Sequence, residues 1–155
     1  MSVRRALEAD VDRLGSLSEG IQRLHAEGRP DLFRAPDREV LRAFLAEQLA
    51  SGAILLISEL DGAAAGYLLA EISARPANPF RQASKSLYVH HIAVDPALQR
   101  RRIGQELMDA AVAIGLAENV DAMRLDSWSF NTSAHAFFES EGFTPLNVVF
   151  ERKLL

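Results

Sequence analysis

The chain has 155 residues, 48% of them hydrophobic and 25% charged, and a formal net charge of −4 at pH 7. That balance fits a globular domain long enough to bury a core, and it excludes disordered and membrane-spanning classes. An acidic chain is a poor general binder of nucleic acid, and a chain without cysteine has no disulfide, thiolate metal site or covalent thioester of its own.

The first residues, MSVRRALEAD, lack the apolar core of a secretory signal, and no apolar run approaches the roughly 20 residues that span a bilayer. A cytoplasmic protein with no membrane partner is expected. SVRRA reads as a first strand. Val11, Leu14, Leu17, Ile21 and Leu24 then recur at spacings of three and four, one face of an amphipathic helix with Asp10 as its cap. Gly28, Pro30 and Pro36 break it. Asp37 caps a second helix with the stripe Val40, Leu41, Phe44, Leu45 and Leu49, stopped at Ser51-Gly52.

Two strands follow, AILLIS and AAAGYLLAEIS, joined at Asp61-Gly62, a hairpin signal. The polar loop ARPANPFRQASK leads to a β-rich stretch, SLYVHHIAV, ending at Asp95-Pro96. A helix runs from about Ile103 to Ala117, AMRLDSW makes another strand, and a short helix after Asn131 ends at Gly142. The tail PLNVVFERKLL reads as one or two final strands. The order β-α-α-β-β-β-α-β-α-β-β, with no repeat or linker, describes one mixed α/β domain over residues 1–155 with an antiparallel meander at its centre.

The chemistry concentrates in HHIAVDPALQRRRIGQELM, residues 90–108. Where a strand gives way to a helix, the first N–H groups of the helix lack acceptors and face the positive end of its dipole. Residues from Gln99 to Gln105 lie at that turn, and Arg100, Arg101 and Arg102 add full charges. Such a turn suits a phosphate or pyrophosphate; a solvated basic turn is the alternative. The spacing fits neither a P-loop, GxxxxGK[ST], nor a dinucleotide fingerprint, GxGxxG.

The stretch resembles the cofactor motif of the GCN5-related N-acetyltransferase superfamily, Gln/Arg-x-x-Gly-x-Gly/Ala after a strand of the form apolar-x-Val-x-Pro. Gln99, Gly104 and IAVDP match it. A second motif of that family, Asn-x-x-Ala-x-x-Phe-Tyr-x-x-x-Gly-Phe, is similar to NTSAHAFFESEGF at Asn131, Ala134, Phe137, Gly142 and Phe143. The resemblance extends over nearly the whole chain. It implies a central, mostly antiparallel sheet splayed at the cofactor site and flanked by about four helices. It also implies acetyl-CoA as acyl donor and an amine of a small molecule or peptide as acceptor.

On that resemblance the CoA pyrophosphate is held by Gln99, Arg100, Arg101, Arg102, Ile103, Gly104 and Gln105. The pantetheine arm runs as an extra strand beside Ile92, Ala93 and Val94, with Asn131, Ala134, Phe137 and Phe138 on its far side. Family members often dimerise, which makes a homodimer an expectation here too. A non-catalytic acyl-CoA-binding domain is the competing reading, because two motif positions depart from the family. Arg102 stands where the family has glycine; a helical backbone there, with the guanidinium on a phosphate, is expected. Phe138 stands where many members have a tyrosine that protonates the leaving thiolate, and Tyr88, Ser127 or a water would replace it.

An amine acceptor must lose a proton to a base, and in the family the base often sits on the strand before the phosphate turn. That strand offers Tyr88, His90 and His91, of which Tyr88 and His90 match catalytic positions, with His90 as base. Strict alternation puts Tyr88, His90 and Ile92 on one face and His91 on the other. An N–H near Ile92 would hold the oxyanion. Phe33 and Trp128 are candidate walls of the acceptor pocket, and Glu71, Asp31 and Asp126 are candidate partners for a cationic amine. His25 and His135 read as helix-surface residues. Adjacent strand histidines diverge, with no carboxylate or third histidine at ligand spacing, so no metal site is expected.

Overall fold

The structure is a computed structural model that describes residues 2–155; Met1 lies outside the described residues. Five strands form one sheet in the order β1 (Ser2–Arg5), β2 (Ile54–Leu60), β3 (Ala63–Arg75), β4 (Ser84–Val94) and β5 (Ala122–Leu125). The first four pair antiparallel, and β5 joins β4 in parallel. Four α-helices, α1 (Val11–Gly28), α2 (Arg38–Ala50), α3 (Ile103–Ala117) and α4 (Thr132–Ser140), and two single 3-10 turns at Glu8–Asp10 and Pro96–Leu98 complete the described elements. The fold class is the mixed α/β one expected from the sequence.

The two faces of the sheet carry separate cores, and strand alternation sorts residues between them. Ile54, Leu56, Leu68, Ala70, Leu87 and Val89 pack with Ile103, Leu107, Met108 and Ala111 of α3. Leu55, Ile57, Tyr67, Leu69 and Ala93 pack on the other face with Leu14 and Leu17 of α1 and Leu45 of α2. Covering on both faces explains why ILLIS and AAGYLLA are almost continuously apolar. Between β2 and β3 the chain turns at Asp61 and Gly62, both with positive φ, 53° and 79°, the backbone that a two-residue hairpin requires.

Two sequence expectations fail locally. Asp10 makes no side-chain cap hydrogen bond to α1. Its carboxylate instead accepts from Leu7 N at 2.7 Å and from the Arg4 guanidinium, which also holds Glu59 on β2 at 2.7 Å. The oxygens are taken by a stronger, charge-assisted donor. Asp37, which forms no ion pair among the described residues, caps α2 as expected, accepting from Glu39 N and Val40 N.

The second failure is the tail. Residues 144–155 form no strand and are exposed throughout, with Val149 and Phe150 at 88% and 91% exposure. Their β-branched character favours a strand, but a strand exists only against a partner edge, and no backbone hydrogen bond within the described residues supplies one. What fixes the tail is charge: Glu151 pairs with Arg29 at 2.9 Å and Lys153 with Asp31 at 3.6 Å.

Candidate functional site

The site begins with a defect in the β3–β4 ladder. Leu69 faces His91 and Ala70 faces Val89, so His90 has no partner on β3 and forms a bulge. Upstream, Leu87 and Val89 point toward α3; downstream, Ala93 points toward α1 and α2. The extra residue therefore resets the alternation. Tyr88, His91 and Ala93 lie on the α1/α2 face, while Ile92 and Val94 pack against the α3 core. The expected grouping of Tyr88, His90 and Ile92 on one face, with His91 opposite, is incorrect for this reason.

His90 stays exposed, and its Nε2 lies 3.2 Å from Oε1 of Glu71 on β3. Tyr88, the register partner of Glu71, places its ring 4.9 Å from the His90 ring. With Nε2 turned toward the carboxylate, Nδ1 is the ring nitrogen left without a partner among the described residues. A cleft of about 330 Å³ between the end of α2 and β3 borders Glu71. Of the other two acids singled out in the sequence, Asp31 is neutralised by Arg29 and Lys153, and Asp126 is exposed just beyond β5.

His91 is half-buried beside Phe44 and Tyr67. Tyr67 Oη lies 3.1 Å from His91 Nδ1, where a neutral imidazole accepts the phenol proton. Burial above all, then the neighbouring His90 and His25, pushes the His91 pKa down to about 4, and burial pushes the Tyr67 phenol up. Burial likewise lowers His25. His25 is not a surface residue: its ring lies 4.9 Å from Phe33 and 6.3 Å from Phe130. Nor is His135 free, because its Nε2 is 3.0 Å from the Trp128 carbonyl and donates to it.

Beyond the bulge the sheet opens. The β4–β5 pairing covers only Ser86–Val89 with Ala122–Leu125, while β4 runs on to Val94. Asp95 N donates to Ala65 O at 2.8 Å, making that a hydrogen-bonded pair. Alternation along an antiparallel ladder then turns the backbone groups of Ile92 and Val94 away from β3, toward the opening. Ala93 faces β3 instead and buries its side chain under α1 and α2, so it offers the opening no polar group. At the mouth of the opening, Ser127 Oγ is buried without a hydrogen-bond partner among the described residues, an arrangement that ordinarily calls for a ligand or water.

The opening leads into the arginine turn. From Gln99 to Gln105 no backbone N–H finds a backbone acceptor among the described residues, the next donor being Glu106 N to Arg102 O at 3.0 Å. Arg100, Arg101 and Arg102 are exposed and form no ion pair among the described residues. Together these donors and the N-terminal end of α3 are suited to an anion. Gly66 lets α3 sit this close: a Cβ there would lie 2.7 Å from Ala93 O and 2.9 Å from Ile103 Cγ2. Gly104 meets α4 similarly, a Cβ falling 3.0 Å from the Phe137 ring.

Arg102 is not helical as expected. It is the N-cap of α3 at φ 63°, ψ 13°, and Arg100 also has positive φ, 66°. A left-handed backbone costs a non-glycine residue roughly 1–2 kcal/mol. Arg102→Gly relieves that strain, offset in part by about 0.4–1 kcal/mol of extra chain entropy in the unfolded state. Its thermal melt without ligand should show a gain of up to about 1.5 kcal/mol, while its affinity for a polyphosphate falls.

On the far side, Asn131 accepts from Ala134 N at 3.3 Å and so caps α4. Phe137 and Phe138 are half-buried, their rings 5.6 Å apart, with Phe143 5.9 Å from Phe138. The structure thus brings together all three segments expected to contact a cofactor. The bulge is legible in principle along the chain: apolar positions 87 and 89 are followed by 92 and 94, a spacing of three that breaks the strand period. Among the described residues no group of three or more His, Asp or Glu could hold a metal, and no helix is long and apolar enough to cross a membrane.

The model of the Acetyltransferase (GNAT) family matches residues 19–143. No curated protein matches the chain by sequence. Among solved structures, the F44R mutant of the BH1408 protein from Bacillus halodurans is 26% identical over the whole of both chains, with a TM-score of 0.91. The aminoglycoside N-acetyltransferase AAC(6')-Iy in complex with CoA is 20% identical, TM-score 0.77, over 99% of this chain and 95% of that one. The same enzyme in complex with the bisubstrate analogue CoA-S-monomethyl-acetylneamine is 21% identical, TM-score 0.73, over 99% and 98%.

Proposed function

Because the chain belongs to the GNAT acetyltransferase family, we propose that it works as a single domain, residues 1–155, transferring an acetyl group from acetyl-CoA directly to a primary amine of a small molecule or peptide. The observation that carries this reading is the opened β4–β5 pair leading into seven N–H groups without backbone acceptors and three unpaired arginines among the described residues. Bound there, acetyl-CoA supplies an activated thioester and a thiol leaving group. A metal is not needed for this chemistry.

Each step falls to residues already placed. The N–H groups of Gln99 through Gln105, with the Arg100, Arg101 and Arg102 side chains, receive the pyrophosphate. Ile92 and Val94 offer backbone groups to the amide-bearing arm, as an edge strand offers them to an added strand. Asn131, Ala134, Phe137 and Phe138 form the wall on the α4 side. His90, facing Glu71 through Nε2, takes the amine proton at Nδ1 as nitrogen attacks and the carbon–sulfur bond breaks. Ile92 N–H donates to the thioester oxygen while it gains charge. Phe138 has no proton to give the departing thiolate, so Tyr88, the unpartnered Ser127 hydroxyl or a water gives it; a thiol with a pKa near 8.5 leaves readily in any case.

Phe138 also favours one second reading, a non-catalytic acyl-CoA-binding or interaction domain. Calorimetric titration with acetyl-CoA, with ATP as the phosphate-bearing control, comes first: saturable binding of acetyl-CoA and not of ATP is expected. Thiol release in the presence of amines then separates enzyme from binding domain, without background from a protein that has no cysteine. Absence of acetyl-CoA binding by a folded sample sinks both readings.

We place the protein in the cytoplasm, with neither membrane nor nucleic acid as partner. A homodimer accounts for the tail. Residues 144–155 carry an unpaired backbone and exposed Val148, Val149 and Phe150, and a second copy offers a β5 edge on which such a strand can pair. Sedimentation is expected to give the mass of a dimer for the full chain and of a monomer for a chain ending at Thr144; a monomeric full chain removes this assembly.

A further inference from the structure

Aromatic rings from two loops meet beyond the end of β5, where the β4–β5 pairing stops. Phe33, from the α1–α2 loop, sets its ring edge-on to Trp128, with centroids 5.0 Å apart. Trp128 in turn stacks with Phe130 at 6.3 Å and 20°. The position follows from the chain: β5 leaves β4 at the pair Val89–Leu125, His90 is the next residue on one strand, and Trp128 is three residues on along the other. His25, whose ring lies 4.9 Å from Phe33, is close enough to His91 to help lower its pKa, which ties the ring cluster to the histidine pair on β4.

The cluster is built rigidly but left open. The Trp128 carbonyl accepts from Asn131 N at 2.9 Å and from His135 Nε2 at 3.0 Å, which pins it to the start of α4. Phe130 lies so close to α1 that a Cβ at Gly28 would fall 2.4 Å from its ring. A cluster that served packing alone would bury its largest ring. Here the largest ring, Trp128, keeps 40% of its surface exposed. On the other side of the bulge, Phe44 is also 40% exposed, its ring 5.9 Å from His91. On β3 and β4 the Glu71 carboxylate and His90 lie 3.2 Å apart, with the Tyr88 ring 4.9 Å from that of His90. An apolar aromatic surface beside a carboxylate fits a molecule with a flat apolar body and an ammonium group, which rings and carboxylate both attract.

We infer that the acceptor is a primary amine carried on an aromatic or similarly flat apolar body, seated on Trp128 and Phe33 with its nitrogen toward Glu71 and His90. The inference rests on the proposed acetyl transfer and sharpens it from amines in general to one class. Trp128 and Phe33 are specificity-determining residues in it and take no part in the chemistry.

The test compares 2-phenylethylamine with butylamine, spermidine and an aminoglycoside at saturating acetyl-CoA. Burying one ring is expected to raise kcat/KM by roughly 10- to 100-fold over butylamine. Trp128→Ala is expected to remove most of that preference through KM, with kcat and acetyl-CoA binding little changed. A second readout uses the wild-type protein: Trp128 is its single tryptophan, so its emission should change saturably when 2-phenylethylamine, and not butylamine, is added in the presence of CoA. Equal or better turnover of butylamine, spermidine or the aminoglycoside, or an emission unmoved by the aromatic amine, overturns the inference while acetyl-CoA binding keeps the enzyme reading intact. Failure to bind acetyl-CoA instead removes that reading, and this inference with it.

Discussion

His90→Ala is expected to lower kcat/KM for amine acetylation by roughly 10²- to 10⁴-fold, the range that a positioned general base contributes. Acetyl-CoA affinity should be unchanged, since His90 projects toward Glu71 at 3.2 Å and not toward the arginine turn. Glu71→Gln should cost less. The amide can still sit against Nε2, but it no longer offsets the charge that His90 gains on taking the proton. Two measurements make the case specific: kcat/KM for the amine and acetyl-CoA binding by calorimetry. Loss of kcat/KM in His90→Ala with acetyl-CoA binding kept supports the assignment. Unchanged kcat/KM in His90→Ala assigns the base elsewhere, and Tyr88, 4.9 Å away between ring centroids, is then next to be replaced.

Acidification is expected to destabilise the fold, with His91 the main cause and His25, lowered by the same burial, a smaller one. Its folded pKa of about 4 lies below the ordinary 6.5, because burial against Phe44 and Tyr67 disfavours the charged ring. Above pH 6.5 both folded and unfolded chains hold a neutral imidazole, and the full stability is present. As pH falls from 6.5 toward 4, the unfolded chain takes up a proton that the folded chain refuses, and stability is lost. The loss approaches roughly 3 kcal/mol near pH 4, a large share of the roughly 5–15 kcal/mol typical of a domain. The Asp10 and Asp95 carboxylates, held low chiefly by hydrogen bonds from Arg4 and Arg13, add their own losses only below this window. Denaturant melts at a series of pH values test it. His91→Gln, whose amide can still accept from Tyr67 and does not titrate, should flatten the dependence between pH 6.5 and 4. An equally steep dependence in that variant would show that another group is responsible.

Along the chain, what can be read is what local physics fixes. The spacing of Val11, Leu14 and Leu17 makes a helix face wherever that helix packs, Asp37 caps without tertiary help, and Asp61-Gly62 closes a hairpin by its own backbone preferences. The anion turn belongs here as well, since N–H groups at a strand-to-helix junction lack acceptors in any fold. So do the two separated motifs, whose residue types and spacing point to the family by themselves.

The tertiary structure decided the rest, because those outcomes depend on which partner a group meets. Asp10 stands where a cap belongs, but Arg4 reaches it across the turn and takes its oxygens. PLNVVFERKLL has the composition of a strand, but pairing needs an edge within reach. Position 102 opens a helical pattern, yet the approach of α3 to Gly66 and to Phe137 through Gly104 accompanies a left-handed turn at Arg102 instead. The assignment of histidines to faces turned on a single bulged residue, since one extra position in a period of two reverses every side chain after it. His25, which reads from the sequence as a helix-surface residue, joins the aromatic cluster because the loop bearing Phe33 folds back on it. Sequence alone determined most of the elements, the anion turn and the family; long-range pairing decided which side chains share the site, because only the folded chain brings β3, β4, β5 and the α1–α2 loop to one opening.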